Sequence, residues 1–191
     1  MKKLEQRILD ISRRHKLSHI GSCLSVLPIL EEIYTTKSTN DLVILDNAHA
    51  HLAHLVVREY HKEIPDAEEL IARYGIHCDR QAGCDASGGS LGHALGIAIG
   101  LAYSGRSRSI HAVVSDGSMM EGSNWEALRI IADNKLDQIR IYGAFNGYTA
   151  VSHYSIEDLV RRMKIFVPNL VVYYTQNGEG FEGIRGHYKT I

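Results

Sequence analysis

Two apolar runs in this chain end on polar residues suited to cation and phosphate chemistry. IHAVV at 110–114 leads through Ser115 to Asp116-Gly117, and QIRIYGAF at 138–145 leads to Asn146. A carboxylate and a carboxamide at the ends of neighbouring strands offer hard oxygen ligands for Mg²⁺ or Ca²⁺, with a diphosphate filling the remaining positions. Gly117 lets a backbone N–H approach a phosphate with no side chain in the way. Alone, Asp-Gly and Asn-Gly are ordinary turn pairs, so this reading depends on what else gathers around them. Eleven histidines are many for 191 residues, and several lie beside glycine or small residues. Imidazole titrates near neutral pH, so such positions suit proton transfer or metal binding, although most histidines in any chain are plain surface or core residues.

For Asp116 and Asn146 to meet, their strands must lie side by side and run the same way. The pattern supplies this: a strand at 110–114, a helix from about Glu121 to Asn134 and a strand at 138–145 form a β-α-β unit, extended by a helix near 156–164 and a strand at 170–174. Earlier, apolar spacing predicts helices over 4–16 and 25–35, joined by a loop through LSHIGSCLS. A strand follows at Leu42 to Leu45, then a helix from His51 to Tyr60. Another helix starts at Pro65-Asp66 and ends near Gly75. The fold class expected is α/β, one domain over 1–191, with a mainly parallel sheet, helices on both faces and ligands at the carboxyl ends of the strands. The glycine-rich segment 83–105 continues from Leu91 as a helix whose Gly96 and Gly100 permit close backbone approach. It reads equally as a buried helix at a tight interface or as a core helix within the domain.

Bulk properties narrow the partners. With 21 Lys+Arg against 22 Asp+Glu, no electrostatic attraction to nucleic acid or an anionic membrane surface is expected. Cys23, Cys78 and Cys84 form no CxxC pair, so neither a disulfide framework nor a zinc knuckle is expected, and a reducing cytoplasm fits. The opening MKKLEQRILDISRRHK lacks a signal-peptide core and no later run is long and apolar enough to span a bilayer, so the expectation is neither secretion nor membrane insertion.

Taken together, SDGSMMEGSNWEA at 115–127 with Asn146 thirty residues after Asp116, LSHIGSCLSV at 17–26, NAHA at 47–50, SGGSLGHALGIAIG at 87–100 and the closing GEG and GHY at 178–188 resemble, in order, the amino-terminal, diphosphate-binding domain of transketolases. The resemblance covers nearly the whole chain. It implies the thiamine-diphosphate-binding fold, thiamine diphosphate with Mg²⁺ or Ca²⁺, and metal ligation by Asp116, Asn146 and the carbonyl of Tyr148. It also implies that Gly117, His49, His187 and Leu91 contact the cofactor. His19 and His77 would line the substrate channel, His187 would lie between diphosphate and substrate, and Glu121 would meet a glutamate of a neighbouring subunit. Several strings depart from the family. Ser115 replaces the first glycine of GDG, LeuSerHis stands for SerGlyHis, and His77-Cys78 stands for HisPro. AsnGlyGluGly at 177–180 replaces a LysGlyLysGly-like string, removing two positive charges near the anionic site. Connections around 36–47 and 147–156 are short for the family.

In transketolases the glutamate that activates the cofactor's aminopyrimidine lies on a second, pyrimidine-binding domain, and this chain ends at Ile191, where the diphosphate domain would end. The resemblance therefore implies one subunit of a split transketolase-like enzyme. That enzyme would move a two-carbon ketol unit from a ketose or ketose phosphate to an aldehyde. A partner chain would supply the catalytic glutamate, in an α₂β₂ heterotetramer. Alternatives are a subunit of a deoxyxylulose-phosphate-synthase-like enzyme or of an oxoacid decarboxylase or dehydrogenase, or a non-catalytic binding protein that keeps the fold.

Overall fold

A computed structural model describes residues 1–105, 107–149, 152–176, 180–181 and 183–191. Four strands, β1 (Leu42–Leu45), β2 (Ile110–Ser115), β3 (Ile139–Phe145) and β4 (Val171–Tyr174), form a parallel sheet in the order β1-β2-β3-β4. Strict alternation divides their side chains between two cores. Val43, Leu45, Val113, Tyr142 and Ala144 face α1 (Lys2–His15), α2 (Ile20–Thr36) and α3 (His51–Tyr60). Ile44, Ile110, Ala112, Val114, Ile141 and Phe145 face α5 (Ala94–Ser104), α6 (Gly122–Asp133) and α7 (Ile156–Phe166). Burial on both faces is why β1, β2 and β3 read as near-continuous apolar runs, whereas the edge strand β4 stays partly exposed. Each fully buried residue such as Ile110 or Phe145 contributes about 1.5–3 kcal/mol.

Local chemistry sets the ends of several helices. Asp66 accepts from the N–H groups of Glu68 and Glu69 to open α4 (Ala67–Tyr74), as its sequence position predicts. Ser155 accepts from Asp158 N–H to open α7. The loop expected through LSHIGSCLS is largely absent, because α2 begins at Ile20 with Gly21 and Cys23 buried. Its small residues serve close approach rather than a loop. The short helix α8 (Gly183–His187) packs on this end of α2, and His19 N–H donates to the His187 carbonyl at 3.0 Å. Helix α5 is not a core helix buried all round: Ala94, Leu95, Ala98 and Ala102 are buried, whereas Gly96 and Gly100 are exposed. Among the described residues no helix is long and apolar enough to cross a membrane.

Candidate functional site

Because the strands are parallel, β1, β2 and β3 end along one edge, and the pairing of Ser115 with Ala144 brings the residues that follow side by side. Asp116 is only 1% exposed. One of its carboxylate oxygens accepts from Asn146 N–H at 2.9 Å and the other from Gly147 N–H at 3.1 Å. The Asn146 side-chain oxygen in turn accepts from Tyr148 N–H at 2.9 Å. Burial raises the Asp116 pKa against the opposing pull of these N–H donors. Among the described residues no lysine or arginine pairs with it. A buried carboxylate held by neutral donors is a site that a divalent cation would satisfy.

Asp116 and Asn146 open into a cleft lined also by Leu91, Gly117, Tyr148, His49 and His187. The backbone at Gly117 is ordinary right-handed (φ −61°), so glycine is needed there for space. A Cβ would lie 3.3 Å from Leu91 Cδ1. Asn47 contributes a buried side-chain oxygen with no hydrogen-bond partner. The hard oxygens of Asp116 and Asn146 fit a divalent cation, and the orphaned Asn47 oxygen fits a ligand that brings an N–H or O–H donor.

Opposite the acidic edge stands a triangle of imidazoles. His19 lies 4.9 Å from His49 and 4.4 Å from His187, and His49 lies 5.3 Å from His187, between ring centroids. Ser22 hydrogen-bonds His49 Nε2 at 3.1 Å, and Ser18 hydrogen-bonds His19 Nδ1 at 2.7 Å. Burial first, then the proximity of His187 and His77, lowers the His19 pKa to about 4. The same causes, with His19 among them, lower His49 to about 3. Burial also lowers His187. At neutral pH these rings are uncharged, so each offers one N–H donor and one lone pair.

The structure thus gathers Asp116, Gly117, Asn146, Tyr148, Leu91, His49 and His187 at one cleft, with His19 packed on its histidines. His77 is exposed and does not line the cleft; its ring is close to Gly89, and it is near enough to His19 and His49 to help lower their pKa values. Glu121 is exposed outside the cleft, at the start of α6 and against Gly92. Of the AsnGlyGluGly departure, 177–179 lie outside the described residues.

Asp46 is a residue that sequence reasoning missed. It is 2% exposed, and its carboxylate accepts from Gly92 N–H and Ala94 N–H, both at 2.8 Å, and from Asn124 Nδ2 at 3.2 Å. It ties the end of β1 to the amino terminus of α5, where an anion complements the helix dipole. Its place directly after an apolar strand was the available signal.

The fold and cleft define an α/β domain of the thiamine-diphosphate-binding type. Residues 1–143 match the family model described as 1-deoxy-D-xylulose-5-phosphate synthase, amino-terminal part. The chain therefore belongs to the thiamine-diphosphate-dependent family of transketolases and deoxyxylulose-phosphate synthases, whose amino-terminal domain it carries. It is 34% identical over 142 residues to a transketolase of Pongo abelii, covering 63% of this chain and 23% of that protein. A transketolase of Mus musculus is 29% identical over 216 residues, 87% of this chain and 35% of that protein. One subunit of an apulose-4-phosphate transketolase from Actinobacillus succinogenes is 44% identical over 63 residues, 31% of this chain and 23% of that protein. The chain thus spans only about a quarter to a third of the length of these relatives.

Proposed function

We propose that this chain is the diphosphate-binding subunit of a split transketolase-like enzyme that transfers a two-carbon ketol unit from a ketose to an aldehyde. The observation that carries the reading is the pairing, across one cleft, of a buried carboxylate held by neutral donors with two uncharged histidines, His49 and His187, against which His19 packs. Asp116, Asn146 and the Tyr148 carbonyl would hold Mg²⁺ or Ca²⁺, while Gly117, Leu91, His49 and His187 would seat the diphosphate. When bound, thiamine diphosphate supplies a nucleophilic carbon and an electron sink for cleaving the bond beside a carbonyl. His19, with Nδ1 engaged by Ser18, keeps Nε2 for a sugar hydroxyl. His19, His77 and His187 together would orient the substrate and carry protons between its oxygens.

A partner chain would supply the pyrimidine-binding domain and the catalytic glutamate in an α₂β₂ assembly. The Actinobacillus relative is itself named as one subunit of its enzyme, which supports a split arrangement. Glu121 is exposed at the start of α6, where a partner carboxyl could meet it. The family model itself favours a second reading, a deoxyxylulose-phosphate-synthase-like subunit.

Calorimetric titration of thiamine diphosphate with Mg²⁺ into the chain, alone and mixed with its candidate partner, tests the proposal. Binding should tighten with the partner and vanish in Asp116→Ala. Absence of binding in both mixtures would overturn it and leave a non-catalytic protein. With a binding pair in hand, turnover of a ketose donor rather than decarboxylation of pyruvate would select the first reading over the second.

A further inference from the structure

A second cluster of metal-ligating side chains lies away from the cleft. His54 Nδ1, Cys78 Sγ and Cys84 Sγ are buried and all lie within 4.8 Å of one another. His54 Nδ1 is 3.8 Å from Cys84 Sγ. His51 lies one helical turn before His54 on α3. Its ring is fully buried, its Nδ1 is engaged by the Gly75 carbonyl at 2.9 Å, and its Nε2 has no hydrogen-bond partner. The two cysteines flank a 3-10 turn, Arg80–Ala82, and are pinned by backbone bonds from Cys78 N–H to Ala48 O and from Cys84 N–H to Asp79 O.

We propose that His51, His54, Cys78 and Cys84 form a structural zinc site. The donor set is the first argument. Two thiolates and two neutral imidazoles make a four-coordinate set that suits Zn²⁺, and their charges cancel those of the ion, so the buried complex is neutral. The outer nitrogens supply the second. Imidazoles that bind metal through one nitrogen engage the other with an oxygen, which fixes the tautomer. His51 does this through Gly75 O and His54 through the Tyr34 hydroxyl, 2.7 Å from its Nε2. The orphaned His51 Nε2 then acquires the partner that its burial demands.

Geometry is the third. Tetrahedral zinc holds such ligand atoms about 3.5–3.8 Å apart, so closing the cluster of His54, Cys78 and Cys84 from its present spread of up to 4.8 Å takes shifts of about 1 Å at most, and His51, which lies outside that cluster, must move further to complete the set. With His51 as fourth ligand the site would be closed, and hence structural rather than catalytic. It would staple the long connection between α4 and α5 to α3. That connection carries His77, next to Cys78, so the metal would also hold His77 in place. The spacing, His-x₂-His followed far downstream by Cys-x₅-Cys, escapes a search for CxxC pairs.

The full chain, reduced and stripped with chelator, is titrated with Co²⁺ and then with Zn²⁺. One equivalent of Co²⁺ should give the intense visible bands of tetrahedral cobalt together with a thiolate charge-transfer band, and one equivalent of Zn²⁺ should abolish both. Cys84→Ser should remove the charge-transfer intensity, and His51→Gln should weaken zinc binding at least tenfold. The wild-type spectrum does not depend on any variant folding. A wild-type chain that shows no tetrahedral cobalt spectrum would overturn the proposal. So would a Cys78–Cys84 disulfide recovered from chain purified under reducing conditions.

Discussion

Asp46→Ala should cost about 3–5 kcal/mol of folding stability. The substitution strands two buried backbone donors, Gly92 N–H and Ala94 N–H, and the Asn124 amide that shares the same carboxylate. Each buried donor left unsatisfied costs about 1–3 kcal/mol, and bonds to a charged acceptor sit at the upper end. The three are not additive, because Asn124 Nδ2 keeps a second acceptor in the Ser118 carbonyl at 2.9 Å. Against a typical total of about 5–15 kcal/mol, the loss is severe. Equilibrium urea unfolding of the ligand-free chain, followed by circular dichroism at neutral pH, would show the midpoint falling by about 2 M for an m-value near 2 kcal/mol/M. Asp46→Asn preserves shape but turns a donor toward one of the N–H groups, and should cost about 2–3 kcal/mol. A loss below about 1 kcal/mol in the alanine variant would refute the view that this carboxylate anchors α5. Wild-type stability in the asparagine variant would show that its second acceptor and its charge are dispensable.

Acid should destabilise the ligand-free chain earlier than carboxylate titration alone would. His19 and His49 have folded pKa values lowered to about 4 and about 3, so the unfolded chain takes up their protons first and stability falls as pH drops below about 6.5. The raised Asp116 pKa acts in the opposite sense. Discounted for partial exposure of the rings, the loss is about 2 kcal/mol between pH 7.5 and 5, and a flat stability profile across that range would exclude it. Gly92→Ala should cost at least about 2 kcal/mol, because φ is +90° and the new Cβ would lie 2.6 Å from Ser123 Oγ; thermal unfolding reads this directly. Gly117→Ala should leave stability within about 1 kcal/mol but weaken thiamine diphosphate binding at least tenfold, since its Cβ would press on Leu91 Cδ1 at 3.3 Å; calorimetry with Mg²⁺ present measures it. Gly96→Ala and Gly100→Ala should each stabilise the isolated chain by about 0.5–1 kcal/mol while weakening assembly with the partner, read by unfolding and by analytical ultracentrifugation.

Much of the layout was legible because period and burial agree. β2 and β3 are apolar runs buried on both faces, and Asp116 and Asn146 follow their ends, where parallel pairing brings them together. The start of α2 was not legible. Gly21, Ser22 and Ser25 have the composition of a loop, and only the fold shows what they meet: α8 packs on that helix end, Ser22 hydrogen-bonds His49 and Ser25 hydrogen-bonds Thr175. The metal cluster was hidden for a related reason. Cys78 and Cys84 meet His54 across the fold, and linear spacing carries no trace of a contact made by α3.

The glycine-rich segment separates two causes that composition merges. Gly88 and Gly92 are required from within the chain, since added Cβ atoms would lie 2.9 Å from Ala48 Cβ and 2.6 Å from Ser123 Oγ. Gly96 and Gly100 have nothing within 4 Å and lie on the exposed side of α5, where Tyr103 is also 50% exposed. A helical glycine costs about 1 kcal/mol relative to alanine, and an added Cβ at either position would meet no atom within 4 Å. Under the proposed split arrangement, a partner helix that approaches this backbone would use such room. Stability and assembly should therefore respond in opposite directions to the same two substitutions, whereas a face without a partner would show only the gain in stability.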